Sequence, residues 1–374
     1  MTRLTYCGNV HPSETLDGWI DACRTHALPV AAARRAAGED RFGLGAWWTA
    51  EVAAQLVADP AARERVAAFL HDADVTLWTL NVFPFRGFHD PVVKESVYRP
   101  DWADPRRLRY TIDAARAAAG FVAPGAQLPR SPLPLGYGVG DLSAMAQALR
   151  RCAEAFAAIE SATGVVPVLA LEPEPFCLEE TVEGVAAFLE DRVFRGAADE
   201  GLLRRHLGVC VDLCHLAVVG EDAVGAVSEL RRRGVAVPKV QVSSCVELRA
   251  PATHLDALLA FDEPRYLHQT VSDRGARAAD LAEVRARRAE FEAADRVRTH
   301  FHLPVFWDEP GAPLGSTRAE MVRFLEQCPG PLPLLEVETY TWSVLGPTWL
   351  ADRCLSDRIV EELGYVAAAV ARRV

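Results

Sequence analysis

No two of the nine cysteines are spaced CxxC: Cys7, Cys23, Cys152, Cys177, Cys210, Cys214, Cys245, Cys328 and Cys354 are scattered and odd in number. This argues against a zinc–thiolate site or a disulfide framework and suits small buried hydrophobes in a reducing compartment. Long apolar runs are missing too. The longest are strand-length or broken by charges, short of the roughly 18 residues of a membrane span, so no membrane insertion is expected. The opening MTRLTYCGNVHPSET lacks the apolar core of about 7–15 residues and the cleavage site of a secretory signal, so a cytoplasmic protein is expected. Basic charge is in deficit: 40 Lys and Arg against 51 Asp and Glu leave −11. General nucleic-acid binding needs a basic footprint and is not expected. Internal repeats, low-complexity tracts and long linkers are also lacking.

Half of the 374 residues are hydrophobic and 24% are charged, which provides a sizeable core and a soluble surface. Short apolar runs alternate with long Ala-, Leu- and Arg-rich amphipathic segments. The runs are LTYCGNV after Arg3, FGLGAWW after Arg41, VTLWTLNVF after Asp74, SPLPLGYG after Arg130, PVLALEPE after Val166, LGVCVDLCH after His206, KVQVSSC after Pro238 and LPLLEVETYTW after Pro331. Several are apolar almost throughout, as strands buried on both faces are. The segments between carry helix punctuation. Asp104-Pro105 reads as a cap and first position, and Asp141 caps a helix that Gly164 ends. A helix over Glu221–Arg233 stops at Gly234, Thr317-x-x-Glu320 is a capping box, and a last helix covers about Trp349 to Arg372.

Eight strand–helix pairs predict an α/β fold, a (β/α)8 TIM barrel forming one domain over residues 1–374. Two stretches exceed the repeat. One is an aromatic loop, Asn81–Trp102, after the third strand. The other is an insertion, Glu247–Glu309, before the last strand, with YLHQTVSD, a charged helix over Arg274–Arg296 and the strand-like THFHLPVFW. In a barrel both fall at the carboxyl ends of strands, where function gathers.

Polar residues that interrupt buried strands carry the chemistry. Glu172 and Glu174 close VLALEPEP, and Asp212 closes GVCVD with His215 three residues on. Gln241 sits between two valines, His300 and His302 share a face, and so do Glu336 and Glu338. A carboxylate inside a buried strand costs several kcal/mol unless it is paired or holds a metal. Five strands ending in acid, imidazole or amide therefore predict convergence on one divalent ion. Glu172, Asp212, Gln241 or a histidine, and a last-strand glutamate would hold it, with oxygen-rich donors that suit Mn, Mg, Co or Zn.

Plainer readings stand beside each residue. Glu174 can pair with an arginine. Of Glu336 and Glu338, one can be a ligand and the other a base, or both can be structural pairs. Gln241 can simply hydrogen-bond. His300 and His302 can be a metal pair or a strand with one histidine at its rim, and His215 alone can be a core histidine. His11 and His268 are weaker substrate contacts. The aromatic residues Phe83, Phe85, Phe88, Tyr98 and Trp102 are core cover or a lid over substrate. Trp342, closing the last run, is a further substrate contact. The Arg285–Arg288 segment reads as a solvated helix face.

In their order, the glutamate after the fifth strand, DxxH after the sixth, VQV in the seventh and LE…ET in the eighth resemble the xylose-isomerase-like TIM-barrel superfamily over roughly Pro167 to Trp342. The blocks LTYCGNVHPSET, NVFPFRGFH…VKESVYRPDW, SPLPLGYG, HFHLPVF and LEVETYTW resemble the EboE "metabolite traffic" proteins over most of the chain. The resemblance implies Glu172 as metal-binding acid/base, Asp212 as metal ligand and His215 as substrate contact. It puts the last metal glutamate on Glu336 or Glu338. Gln241 stands where the superfamily has a metal histidine. That departure implies a weakened metal, a substitute from His268 or His302, or a site that binds without catalysis. The implied activity is a metal-dependent isomerase or epimerase acting on a small-molecule substrate, a small sugar, polyol or cyclitol derivative, phosphorylated or not, in a secondary-metabolite pathway. A non-catalytic metabolite carrier, a dehydratase and a phosphoesterase are the alternatives, and a homo-oligomer stays open.

Overall fold

The computed structural model describes residues 2–39, 41–309 and 311–373. Thirteen strands occur in it: β1 Leu4–Tyr6, β2 Gly43–Trp47, β3 Thr76–Asn81, β4 Gln127–Ser131, β5 Val166–Leu171, β6 Leu207–Asp212, β7 Ala236–Val242, β8 Val246–Arg249, β9 Thr270–Ser272, β10 Arg277–Ala278, β11 Arg296–Thr299, β12 Leu314–Ser316 and β13 Leu334–Val337. Eight form one sheet, in the order β1-β13-β7-β6-β5-β4-β3-β2, and all its pairs are parallel. The seam between β1 and β2 is closed by the parallel bridge Cys7–Gly45 and by the Thr5 hydroxyl, which donates to the Gly43 carbonyl at 2.6 Å. Gly45 is needed there: a Cβ would lie 2.0 Å from Glu336 Oε1 inside the barrel. The expected (β/α)8 barrel is therefore the observed fold. Its helices carry the apolar faces that bury the strands from outside.

Several details differ from the sequence reading. The fourth strand ends at Ser131 instead of starting there. Pro132 and Pro134 lack the N–H a ladder requires, so SPLPLGYG is mostly the loop that follows it. Asp104 and Asp141 do cap their helices, Pro105–Ala119 and Leu142–Thr163, and Gly164 ends the second with φ +72. Asp222 caps the helix Ala223–Arg232. The Thr317 capping box does not form. The Thr317 hydroxyl accepts the Cys245 N–H at 2.9 Å instead, while Glu320 pairs with Arg298. The last helix runs only over Leu355–Ala371, behind a separate turn at Pro347–Leu350.

The segment before the last barrel strand builds its own antiparallel sheet, β10-β9-β11-β8-β12, which opens at Val246 and closes at Ser316, beyond Glu309. The expected helix over 274–296 is two short ones, Leu281–Ala286 and Arg288–Glu292, flanked by β10 and β11. Asp280 caps the first, and Phe291 and Val284 bury against Leu248, Leu255 and Val297. THFHLPVFW is strand only through Thr299. His300 to His302 leave β11 and cross the barrel mouth, with Leu303 N–H donating to the Ser244 carbonyl at 2.9 Å. Among the described residues, no helix is long and apolar enough to cross a membrane.

Candidate metal centre and cavity

Three carboxylates end three barrel strands. Glu172 follows β5, Asp212 closes β6 and Glu338 follows β13; an oxygen of each lies within 4.8 Å of the others, and all three are buried. Asp212 is held by its local structure. Its Oδ1 caps the helix Leu213–Val219 through the His215 N–H at 2.9 Å and accepts the Ser243 hydroxyl at 2.8 Å, and its Oδ2 has no partner. Glu338 Oε1 accepts the side-chain amides of Asn9 (2.8 Å) and Asn81 (3.0 Å), which end the first and third apolar runs. Glu172 Oε2 has no partner. Burial, then the charges of Glu338 and Asp212, holds the Glu172 carboxyl well above the usual range. Burial and Asp212 bring Glu338 to about 8.

Three histidines complete the cluster. His302 Nδ1 faces the Glu338 carbonyl at 2.7 Å, which can only accept, so the ring proton sits there. Nε2 keeps its lone pair, has no hydrogen-bond partner and lies 3.8 Å from Asp212 Oδ2. His215 Nδ1 likewise donates to the Pro173 carbonyl at 2.9 Å. His300 Nδ1 faces Gln269 Oε1 at 2.9 Å. The Gln269 amide nitrogen is turned to Tyr98 Oη at 2.7 Å and Glu174 at 3.3 Å, so Nδ1 carries the His300 proton. The two Nε2 atoms of His215 and His300 therefore meet at 3.1 Å with a lone pair each. Such a contact is repulsive unless a cation or a proton sits with it. Burial brings His215 to about 4 and lowers His300 and His302, which disfavours the proton.

A divalent ion fits these residues. Glu172 Oε2, Asp212 Oδ2 and His302 Nε2 are buried donors without partners, and unpaired buried polar atoms are rare and costly. Oxygen-rich ligands with an imidazole suit Mn, Co or Zn. Glu174, the second carboxylate after β5, is placed differently. It accepts the Tyr98 hydroxyl at 2.6 Å and groups with His215 and His300, and burial raises it to about 8.

Glu336 is separated from this cluster. Its Oε2 lies 2.5 Å from Lys239 Nζ, and both side chains are fully buried within the barrel. Lys239 also donates to Ser131 Oγ at 3.0 Å. Burial alone would lower the lysine's pKa, but Glu336 raises it above its ordinary value. Gln241 stands in the ladder between Asp212 and Glu336, sealed from solvent, with both amide atoms unpartnered.

A cavity of about 50 Å³ opens above the cluster. Glu172, Glu174, His215, His300, His302 and Glu338 line it, with Asn9, Asn81 and Gln269. Phe83, Phe88 and Tyr98 of the aromatic loop, and Tyr266 and Tyr340, form its wall. Four expected substrate contacts are not brought there. His11 accepts or donates to Tyr6 Oη at 3.0 Å and stacks on His26 beside a separate small cavity. His268 alternates with the cavity-lining Leu267 and Gln269, so it points the other way, to Asp280 at 3.1 Å. Phe85 packs on Tyr110 and Arg107, and the Trp342 indole donates to Glu362 at 3.0 Å. Sequence reasoning missed Asn9, Asn81 and Lys239, although each is a polar residue in or ending a buried run, the signal that marked the acids.

No family model matches the chain, and neither does any curated protein. Solved structures do. The IOLI protein with a bound zinc atom superposes with TM-score 0.50 at 11% identity, over 100% of this chain and 99% of that one. A D-tagatose 3-epimerase-like protein superposes with TM-score 0.50 at 13% identity, over 99% and 98%. At that identity the likeness speaks for architecture, and it agrees with the strand order: the chain shares the (β/α)8 TIM-barrel fold of these structures.

Proposed function

We propose that this protein is a divalent-metal-dependent isomerase or epimerase that moves a proton beside a carbonyl on a small sugar, polyol or cyclitol derivative. The observation that carries the proposal is the convergence of Glu172, Asp212 and Glu338 within 4.8 Å, with the unpartnered His302 Nε2 beside Asp212. Glu172, Asp212, Glu338 and His302 would hold the ion, His302 taking the part that Gln241 leaves open. The ion, when bound, polarises a carbonyl and a neighbouring hydroxyl. Glu172, through the carboxylate oxygen that the ion would leave free, accepts the proton from the carbon beside the carbonyl. Glu338, aimed by Asn9 and Asn81, returns a proton to the neighbouring carbon or to the opposite face. His215 contacts a substrate hydroxyl through Nε2. The zinc of the IOLI structure and the epimerase-like neighbour support this reading. The EboE-like blocks are the basis for placing the reaction in a secondary-metabolite pathway.

Incubation of metal-loaded protein in D2O with ketoses and cyclitol ketones tests it. One non-exchangeable deuterium gained at unchanged composition, and lost in Glu172→Gln, is the expected result. Loss of water would mean a dehydratase, and ligand binding without exchange a carrier. A second reading, a multi-metal hydrolase, is favoured by the additional group Glu174, His215 and His300; two or more ions per chain with phosphoester cleavage would establish it.

A further inference from the structure

We infer that the substrate is uncharged and bipartite: an oxygen-rich end that meets the carboxylate and histidine floor, and an apolar substituent. The inference rests on the proposed isomerase reading for the first end only. For the second end it rests on the cavity wall.

The wall has almost no polar capacity left. Phe83 and Phe88 have none, and the tyrosine hydroxyls are already engaged. Tyr98 donates to Glu174, Tyr266 to the Phe88 carbonyl at 3.3 Å, and Tyr340 lies 3.4 Å from His300 Nε2. Phe88 packs at 5.1 Å from the Tyr266 ring and 5.5 Å from Tyr340, so the faces form one continuous apolar surface. The hydroxyls of a bare polyol laid against this wall would be buried without partners. An apolar group loses nothing and gains the contact.

The cavity has no cation to spare for a phosphate or carboxylate. Among the described residues, Lys94 is the one lysine or arginine lining it. Its ammonium has three protons and three acceptors already: Asp280 at 2.7 Å, the Tyr266 carbonyl at 2.7 Å and the Glu263 carbonyl at 3.1 Å. With the Val93 and Lys94 N–H groups, which both donate to the Arg265 carbonyl at 2.8 Å, it straps the aromatic loop to the inserted segment. Glu172, Glu174 and Glu338 face the same space and add no positive charge to it.

The test is calorimetric titration of the metal-loaded protein with the phenyl, methyl and 6-phosphorylated forms of glucose and galactose. The phenyl glycoside of at least one sugar should bind at least about tenfold more tightly than its methyl counterpart, and the phosphates more weakly than either. Val97→Lys adds a free cation to the half-buried wall and should invert the order, favouring the 6-phosphate. Phenyl binding no tighter than methyl, or a 6-phosphate binding best to the parent, overturns the inference. Metal content is read on the same samples, and deuterium exchange on the same preparation with the ketoses and cyclitol ketones, because a glycoside has no carbonyl. Metal and exchange with a preferred phosphate would leave the isomerase reading standing and remove this one. Phenyl preference without metal or exchange would do the reverse.

Discussion

His302 Nε2 lies 3.8 Å from Asp212 Oδ2, although one residue leaves the inserted sheet and the other closes barrel strand β6. The insertion thus delivers an imidazole to the barrel mouth, beside the strand where Gln241 gives only an amide. The His302 ring proton is held on Nδ1, which donates to the Glu338 carbonyl, so the Nε2 lone pair is turned toward the acids. A loop that adds a donor to a rigid barrel is a general way to alter a site without altering its scaffold.

Asn9 and Asn81 orient Glu338 from two different strand ends. Groups that hold a ligand side chain typically affect metal affinity by about 10–100-fold. Asn9→Ala/Asn81→Ala should lower affinity for manganese or zinc on that scale with an unchanged circular dichroism spectrum. Unaltered affinity would show that the two amides are only filling space.

Lys239 and Glu336 form a buried pair, and removing one partner of such a pair costs about 3–5 kcal/mol. Lys239→Met should show that loss in urea unfolding. Lys239→Met/Glu336→Met should recover most of it, since two apolar groups leave no uncompensated charge. Equal losses in the single and double variants would mean the pair is not what matters there.

Glu362 on the last helix is buried and accepts from Thr339 Oγ1 at 2.6 Å, Trp342 Nε1 at 3.0 Å and the Val305 N–H at 3.1 Å. Burial raises its pKa from 4.5 to about 7. The folded value lies above the unfolded one, so the contribution to stability is fully present below pH 4.5 and is lost as pH rises through about 7. The loss is on the order of 2–3 kcal/mol. Parent stability should fall over this window relative to Glu362→Gln, measured as the difference in unfolding free energy at pH 5 and pH 8. Parallel pH profiles would contradict it.

The acids of the candidate site are legible because a carboxylate that ends PVLAL or GVCV has few uses other than a site. What periodicity could not separate was depth. Glu336 and Glu338 share a face, yet one sits beside Lys239 within the barrel and the other at its mouth. Only the three-dimensional stagger of the strands decides that. The imidazole substitution was open between His268 and His302, because nothing local shows which way a residue between Leu267 and Gln269 points. Thr317 failed as a cap because a distant backbone N–H, that of Cys245, took its hydroxyl, a competition no local motif records. The β4 offset was readable, since Pro132 and Pro134 already forbade a ladder.

The most direct test is elemental analysis of untagged protein, for the parent, Asp212→Asn and His302→Gln. Asparagine keeps the cap on His215 and changes only the charge, so the fold should hold. The account predicts at least about one equivalent of manganese, zinc or cobalt in the parent and a loss in both variants, with unchanged thermal unfolding of the metal-free forms. A parent that takes up no metal when it is supplied, or variants that hold as much as the parent, would contradict it.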